Sequence, residues 1–210
     1  MAHRIQGSKS MVGPAIATIS AEFPATSREG SIEMDQNRTL GKDDWFLAGL
    51  EALAEGGPQL LRAAKIARML GVTTGSFYWH FRSVADFRAE LLEYWKEGVV
   101  VTLIRDARAG AQEPAQILAD LRKRIVESGA HRYDAAMRTW ARADPRVRDT
   151  VACADEIRGT FLAEMLRKSG LSEEEARDRA SLVGAAWRGS LDDVGDPDYR
   201  MKLVGLAAAT

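Results

Sequence analysis

The spacing of apolar residues between successive glycine and proline breaks is the feature that most constrains the fold of this chain. From Lys42 onward, apolar side chains recur every three or four residues, as they do along one face of an α-helix. The repeating segments end at Gly56-Gly57-Pro58, Gly71, Gly129 and Gly170, and such residues commonly terminate helices. No segment has the alternation of apolar and polar residues that marks a half-buried strand. The sequence therefore predicts an all-α protein.

Helix-starting residues and these breaks together predict where each helix lies. Asp43 and Asp44 are carboxylates of a first turn, and Ser172 with Glu175 forms a capping box. The predicted helices cover about residues 43–56, 62–70, 73–80, 84–108, 114–128, 131–143, 145–169, 172 onward and 197 onward. The most regular apolar repeat, every fourth residue of the long helix 84–108, consists of Phe87, Leu91, Trp95, Val99 and Leu103.

The beginning of the chain has no such repeat. Residues 1–41 are interrupted by glycine and proline and are rich in Ser and Thr, so we expect a flexible tail. It is either a disordered leader or the product of a start codon placed ahead of Met34. A role in contacting DNA or a partner is the remaining alternative. A secretory signal is not favoured, because Pro14 breaks the short apolar stretch that follows Lys9.

Composition excludes several classes of protein. With 29 basic and 30 acidic residues and a net charge of −1, the chain is no globally basic nucleic-acid binder. Cys153 is the only cysteine, which excludes an internal disulfide and a cysteine-cage metal site. No apolar run reaches the roughly 18–20 residues that cross a bilayer. We therefore expect a cytoplasmic protein without a membrane partner.

Sequence signatures of catalysis are absent as well. The chain contains no glycine-rich phosphate loop, no metal-spaced histidine pair and no Gly-x-Ser-x-Gly motif. We therefore expect neither an enzyme nor a bound metal or cofactor. An acidic group near the C-terminus is interpreted as helix caps in a loop rather than as metal ligands; it consists of Asp192, Asp193, Asp196 and Asp198.

Positive charge is concentrated in two segments of this neutral chain. Residues 59–88 have a net charge of +4, and residues 120–148 also have +4. The first segment contains Asp86 as its only acid, against Arg62, Lys65, Arg68, Arg82 and Arg88. A basic segment of this kind is a candidate footprint for a polyanion, although most such segments are solvated helix faces.

The predicted helix 73–80 lies inside the first basic segment and carries two aromatic residues on its outer side. At 100° per residue, Phe77 and Phe81 share one side, which we assign to the core. The opposite side presents Tyr78 and Trp79, which a monomeric protein seldom exposes without a use. A short helix that follows a tight glycine turn and is surrounded by basic residues indicates a helix-turn-helix recognition element.

Each residue type on that outer side suits contact with duplex DNA. Hydroxyl groups bond to base edges or phosphates, a glycine allows close approach, phenol and imidazole groups donate to phosphates, and an indole contacts a thymine methyl. The alternative is that Trp79 packs beneath the fourth helix and Tyr78 is half-buried. The candidate DNA-binding residues are Arg62, Lys65, Thr73, Thr74, Gly75, Ser76, Tyr78, Trp79, His80 and Arg82.

Residues 71–82, GVTTGSFYWHFR, resemble the signature of the tetracycline-repressor (TetR) family of transcriptional regulators, and the likeness covers about residues 43–92. The resemblance implies that Tyr78 and His80 anchor phosphates and that Thr73, Thr74, Ser76 and Trp79 face the major groove. Two positions depart from the family pattern. Arg62 stands where the second helix usually opens with Ser or Thr, and Val84 replaces a frequent lysine.

The resemblance further implies a domain division. Residues 1–41 would be the tail, 42–88 the helix-turn-helix DNA-binding domain, and 89–210 a helical ligand-binding and dimerisation domain, in which 137–145 resemble one subgroup. The last two helices are expected to form a four-helix bundle across a two-fold axis, with packing inside one chain as the alternative. Their candidate contact residues are Gly184, Ala185, Ala186, Gly189, Leu203, Val204 and Leu206.

An effector pocket in that domain would be lined by apolar and aromatic side chains with a few polar groups. The candidates, any of which could instead be ordinary core, are Trp95, Met137, Trp140, Phe161, Met165 and Trp187, with His131, Tyr133 and Cys153 as polar members. The sequence thus predicts a homodimeric repressor that binds a palindromic double-stranded operator and responds to an unknown small molecule. The alternatives are an enzyme and a helical protein-interaction module that has lost DNA binding.

Overall fold

Residues 40–189 are described by a computed structural model, with side chains through Ala185. Every regular element in this part of the chain is helical, which confirms the all-α prediction. A 3₁₀ turn, Pro58–Leu60, precedes the second helix. The predicted tail and the helix from 197 onward lie outside these residues. The elements are α1 (Lys42–Gly56), α2 (Ala63–Met69), α3 (Thr74–His80), α4 (Val84–Glu93), a π-helical segment (Tyr94–Val101), α5 (Thr102–Gly110), α6 (Pro114–Glu127), α7 (Ala130–Ala141), α8 (Pro145–Lys168) and α9 (Glu173–Gly189).

Side-chain caps explain where several helices begin. The Ser83 hydroxyl accepts a hydrogen bond from the backbone N–H of Asp86 at 3.0 Å and opens α4. The predicted capping box before α9 is present, because the backbone N–H of Glu175 donates to Ser172 Oγ at 3.2 Å and that of Ser172 donates to Glu175 at 3.1 Å. These bonds satisfy amides that the first turn leaves without helical partners.

An aromatic core holds the first helices together; it consists of Trp45, Phe46, Phe77, Phe81 and Phe87. The ring centroids of Trp45 and Phe77 lie 5.6 Å apart, and those of Phe81 and Phe87 lie 4.9 Å apart. These edge-to-face contacts add to the burial of apolar area. They join α1 to α3 and α4, so the position of α3 depends on its packing against α1.

The sequence predicts one long helix over residues 84–108. The chain is indeed helical over residues 84–110, but not all of this segment is α-helix. Tyr94–Val101 forms a π-helical segment, and the Thr102 hydroxyl donates to the Glu97 carbonyl at 3.1 Å. A strict four-residue repeat exceeds the 3.6 residues of an α-turn, so its apolar stripe would drift about 40° at each repeat. The wider π turns offset that drift. Accordingly, all five residues of the repeat are buried: Phe87, Leu91, Trp95, Val99 and Leu103.

Four charged side chains form a closed ring between α7 and α8, which we call the charge ring: the buried Asp134 and Arg138 and the half-buried Asp155 and Arg158. The Arg138 guanidinium donates to Asp134 at 3.0 Å and makes two bonds to Asp155 at 2.9 and 2.5 Å. Arg158 donates to the same two carboxylates at 2.7 and 3.1 Å. Its guanidinium also lies over the Trp95 ring, 5.5 Å from the centroid. The charge ring therefore links α7, α8 and the π-helical segment.

The protonation state of the charge ring follows from its own contacts. Burial opposes ionisation of Asp134, but the charges of Arg158 and Arg138 outweigh it and hold the pKa of this carboxyl below its ordinary value. Burial also opposes the charge on Arg138, whereas the hydrogen bonds to Asp155 raise its pKa. Asp134 and Arg138 are therefore both charged at neutral pH, which is tolerated in a buried place because each is paired.

The last described helix packs along α8. Leu162 and Leu166 of α8 are buried against Ala176, Ala180 and Val183 of α9. No helix within residues 40–189 is both long enough and apolar enough to cross a bilayer.

The close approach of α1 and α4 predicts the effect of a methyl group. A Cβ at Gly49 would lie 2.6 Å from Phe87 Cζ, and this ring has no free space in the aromatic core. We expect Gly49→Ala to lower the free energy of unfolding by about 1–3 kcal/mol. Gly159→Ala on α8 is the control, because its Cβ would meet nothing within 4 Å and alanine stabilises a helix by up to about 1 kcal/mol. Urea denaturation measures both; a change of the same sign in both variants would contradict the prediction.

The charge ring predicts a pH-dependent stability. Asp134→Asn leaves the arginines partly unpaired and should lower the free energy of unfolding by about 3 kcal/mol at neutral pH. Because the folded-state pKa of Asp134 is lowered, its contribution is complete above the unfolded pKa of about 4 and is lost as the pH falls through the folded value. The difference between wild type and Asp134→Asn should therefore shrink in acid. Asp149→Asn, at an exposed position, serves as the control and should leave stability nearly unchanged at every pH.

Candidate nucleic-acid interface

A tight turn between α2 and α3 sets the direction of α3. Gly71 has φ of +69°, a conformation that glycine adopts without strain. The backbone N–H of Val72 donates to the Ala67 carbonyl at 3.0 Å, and that of Gly71 donates to Arg68 at 3.2 Å. The turn therefore closes the end of α2 and directs the chain into α3.

The two sides of α3 differ as the helical periodicity predicts. Phe77 is fully buried and Phe81 nearly so, whereas Tyr78 is 55% exposed and Trp79 is 87% exposed. The alternative that Trp79 packs beneath the following helix is therefore wrong. Burial of the two phenylalanines in the aromatic core leaves the phenol and the indole on the outer surface.

The hydroxyl residues at the start of α3 lie on the same outer surface. Thr73 and Thr74 are exposed, and Ser76 is half-buried. Thr73 precedes α3 without capping it through its side chain, and its Oγ1 lies 3.3 Å from Ser76 Oγ. The Thr73 hydroxyl therefore does not cap α3, and the hydroxyl groups of this surface can bond to an external partner.

Neither packing nor backbone conformation within the described residues requires glycine at position 75. A Cβ at this position would meet only Thr73 Oγ1, at the ordinary distance of 3.6 Å, and its φ is not in the left-handed region. Glycine destabilises a helix relative to alanine. The absence of a side chain on this exposed residue therefore suits close contact with another molecule.

His80 lies at the edge between the outer surface and the aromatic core. It is half-buried, with its ring centroid 5.8 Å from Trp45 and 5.9 Å from Trp79. The packing against Trp45 restricts the imidazole, so that the ring is held between Trp45 and the exposed Trp79.

The basic candidates divide into exposed and internally bonded residues. Arg62, Arg68 and Arg82 are exposed. Lys65 is half-buried, and its Nζ lies 3.4 Å from the Glu55 carboxylate on α1. Arg88, which contributes to the basic segment in the sequence, turns inward and donates to the carbonyls of Pro58 and Leu61 at 2.9 and 3.3 Å.

Among the candidate pocket residues with described side chains, several are enclosed within the molecule and Phe161 borders an open groove. Trp95, Met137 and Met165 are fully buried, and Trp140 is nearly so. Phe161 is also buried but borders a groove of about 570 Å³ between α5 and α8, which Cys153 borders too. The side chain of Trp187 lies outside the described residues. The remaining lining residues of the groove are Val101, Ile104, Arg105, Arg108, Glu156, Ile157 and Thr160.

Two of the predicted polar members of the pocket have partners elsewhere. Tyr133 is buried and donates to Glu51 of α1 at 2.5 Å, and a ring nitrogen of His131 lies 3.5 Å from the Ile125 carbonyl. Sequence reasoning missed Glu51, because a single acidic residue on a helix face gives no signal of its distant partner. It also missed the charge ring, of which the sequence shows only the pairs within one helix, Asp134 with Arg138 and Asp155 with Arg158.

Comparison with known proteins agrees with this geometry. Residues 47–91 match the family model of bacterial regulatory proteins of the tetR family, which confirms the predicted resemblance. The matched residues include most of α1, all of α2 and α3, and most of α4. No curated protein sequence matches the chain significantly.

Solved structures share the fold over most of the chain. A transcriptional regulator from Rhodococcus sp. Rha1 is 20% identical with a TM-score of 0.61 and covers 81% of this chain and 95% of its own. A protein from Rhodococcus sp. described as a TetR-family transcriptional regulator is 18% identical with a TM-score of 0.54, covering 80% and 96%. The transcriptional regulator FadR from Bacillus subtilis, solved in complex with stearoyl-CoA, is 16% identical with a TM-score of 0.53, covering 79% and 97%. At these identities the likeness establishes the fold.

The open space at Gly75 predicts opposite effects on stability and on binding. Gly75→Ala should raise the free energy of unfolding by up to about 1 kcal/mol, because alanine favours the helix. The same methyl group would hold a DNA backbone away from α3 and should weaken binding to duplex DNA. Urea denaturation and fluorescence anisotropy with a labelled duplex measure the two effects. Gly159→Ala, far from α3 in sequence, should raise stability and leave DNA affinity unchanged. Unaltered DNA affinity in Gly75→Ala would contradict the assignment.

Proposed function

We propose that this protein, whose residues 47–91 match the TetR family, is a sequence-specific transcriptional repressor. It binds a palindromic operator as a homodimer and responds to a small molecule. The observation that carries the proposal is the outward display of Tyr78 and Trp79 on α3, 55% and 87% exposed, within a segment of net charge +4. The described neighbours leave most of Trp79 and more than half of Tyr78 uncovered, and a monomeric protein seldom exposes such large aromatic side chains without a use.

Residues of α3 divide by chemistry into phosphate contacts and base contacts. The Tyr78 hydroxyl and the His80 imidazole donate to phosphates, while the exposed Arg62 and Arg82 add electrostatic attraction. Lys65 joins them after exchanging its contact with Glu55 for a phosphate. The groups that read base edges in the major groove are Thr73, Thr74, Ser76 and Trp79, with Gly75 allowing close approach.

A homodimer would form through α9 and the helix predicted after it. The buried side of α9 packs on α8, while Leu182 on another side is 70% exposed and Ala185 is exposed as well. An exposed leucine beside small residues suits a closely packed helix of a second copy. A two-fold axis then relates the two recognition helices, so the operator half-sites are inverted repeats.

The effector would bind in the domain that follows residue 88. The groove between α5 and α8 offers about 570 Å³ with apolar residues such as Ile104 and Phe161 beside Arg108. FadR, which shares the fold, was solved with stearoyl-CoA, so a domain of this architecture can hold an acyl compound. The predicted pocket residues Trp95, Met137, Trp140 and Met165, which are buried in the same domain, would then line an enclosed part of such a site. A coupling free energy of about 1–3 kcal/mol between effector and operator is typical of such regulators.

The division of roles on α3 predicts two kinds of mutant. Tyr78→Phe removes a phosphate donor and should weaken binding to every duplex by a similar factor, and His80→Ala should do the same. Thr74→Val removes a group that reads bases and should change the preferred sequence instead. Selection from a random duplex library by the wild-type protein yields the operator, and anisotropy titrations at physiological salt compare it with an unrelated duplex.

Two results would oppose the proposal. Unchanged operator affinity in both Tyr78→Phe and His80→Ala would contradict the phosphate contacts. A wild-type protein that selects no sequence even at low salt would favour the protein-interaction module instead.

A further inference from the structure

One acidic residue of α1 joins the DNA-binding module, residues 42–88, to the domain behind it. Glu51 Oε1 accepts a hydrogen bond from the Tyr133 hydroxyl of α7 at 2.5 Å. Its second oxygen accepts one from the Arg132 guanidinium at 3.0 Å. Both carboxylate oxygens of Glu51 are therefore bound to α7.

The bond between Glu51 and Tyr133 is sheltered from solvent, whereas the Arg132 side chain is 50% exposed. The side chain of Glu51 is 17% exposed, and Tyr133 is 3% exposed. Burial and the Glu51 carboxylate raise the pKa of Tyr133 above its ordinary value, so the phenol remains a donor. Hydrogen bonds to a charged acceptor in a sheltered place are stronger than those between neutral groups.

Two other ion pairs of α1 join it to α4 and to α2 rather than to α7. Lys42 lies 2.6 Å from Glu90 on α4, and Glu55 lies 3.4 Å from Lys65 on α2. The bonds of Glu51 to Arg132 and Tyr133 therefore differ in kind from these pairs, because they cross from α1 to α7.

α7 is held firmly on its other side. Asp134, the residue after Tyr133, belongs to the charge ring with Arg138, and both bond to residues of α8. Successive residues of α7 thus contact α1 and α8. Rotation of α1 relative to α8 would break either the bonds of Glu51 or those of the charge ring.

The orientation of α1 determines that of the recognition helix. Trp45 of α1 packs edge-to-face on Phe77 of α3 at 5.6 Å, and both are fully buried. In a dimer, two recognition helices must reach half-sites about one helical turn, roughly 34 Å, apart. A change in the angle of the module would change that distance.

We propose that Glu51 is a positioning residue that sets the half-site spacing the dimer accepts. By holding α1 against α7 it fixes the angle between the DNA-binding module and the domain behind it. The protein then discriminates between operators that have identical half-sites at different separations. This inference rests on the proposed function of a homodimer that binds an inverted repeat.

The test uses the full-length protein and the operator that it selects from a random duplex library. A series of labelled duplexes keeps both half-sites and lengthens or shortens the spacer by one and two base pairs. Affinity is measured by anisotropy for wild type, Glu51→Gln, Tyr133→Phe and Glu55→Gln.

Tyr133→Phe keeps the buried ring and removes only the hydroxyl. Glu55→Gln removes the same charge from the same helix without a contact to α7. Melting temperature, sedimentation and stoichiometric titration establish that each preparation is folded, dimeric and fully active.

Wild type should lose at least about tenfold in affinity when the spacer changes by one base pair. A loss of this size is comparable to that caused by one mismatched base pair in a specific site. Glu51→Gln and Tyr133→Phe should lose only about two- to threefold for the same change of spacer. Glu55→Gln should show the wild-type loss between spacers, although release of Lys65 from Glu55 raises its affinity for every duplex. Wild-type discrimination in both Glu51→Gln and Tyr133→Phe overturns the inference and leaves the proposed function standing. If wild type binds no duplex, or binds single half-sites without any preferred spacing, the proposed function fails and the inference fails with it.

Discussion

The burial of Phe77 and Phe81 in the aromatic core is the constraint on which the rest of this structure depends. These residues are four apart, so α3 can bury both only in one rotation about its axis. That rotation places Tyr78 and Trp79 in solvent. The outer surface of α3 therefore follows from the packing of its inner surface, and a substitution in the aromatic core would displace the outer surface without altering any residue on it.

The second half of the molecule is held by charge as well as by apolar packing. The charge ring joins α7 to α8, and Arg158 extends it to Trp95 in the π-helical segment. A buried network of this kind requires every member, because removal of one charge leaves its partners unpaired. Such a network favours a single relative arrangement of α7 and α8, whereas apolar side chains alone tolerate several packings.

Local signals in the sequence predicted most of the fold and the outer surface of α3. The predicted cap Ser172 lies only three residues from the amide that it satisfies, and a helical wheel suffices to divide Phe77 from Trp79. The π-helical segment was missed although its cause was visible. A four-residue repeat that persists from Phe87 to Leu103 cannot remain on one side of an ordinary α-helix.

Contacts between distant residues could not be predicted in the same way. In the sequence, Asp134 and Arg138 have the spacing of an ordinary ion pair on a solvated helix. Nothing near them indicates that they contact Asp155 and Arg158. Met137 has the apolar character of a pocket wall, and it is fully buried, as residues of a closed core also are. Residue type does not distinguish the lining of a cavity from a closed core, because both consist of the same side chains.

The π-helical segment also bears on how this molecule tolerates changes in chain length. Insertion or deletion of one residue in an α-helix turns everything beyond it by about 100° and moves it by about 1.5 Å. A π-helical turn contains more residues than an α-helical turn, so a deletion between Tyr94 and Val101 can be accommodated by conversion of π-helical turns to α-helical ones. The bridge between the two halves of the protein is thus the place where related chains can differ by a residue and still keep both halves in register.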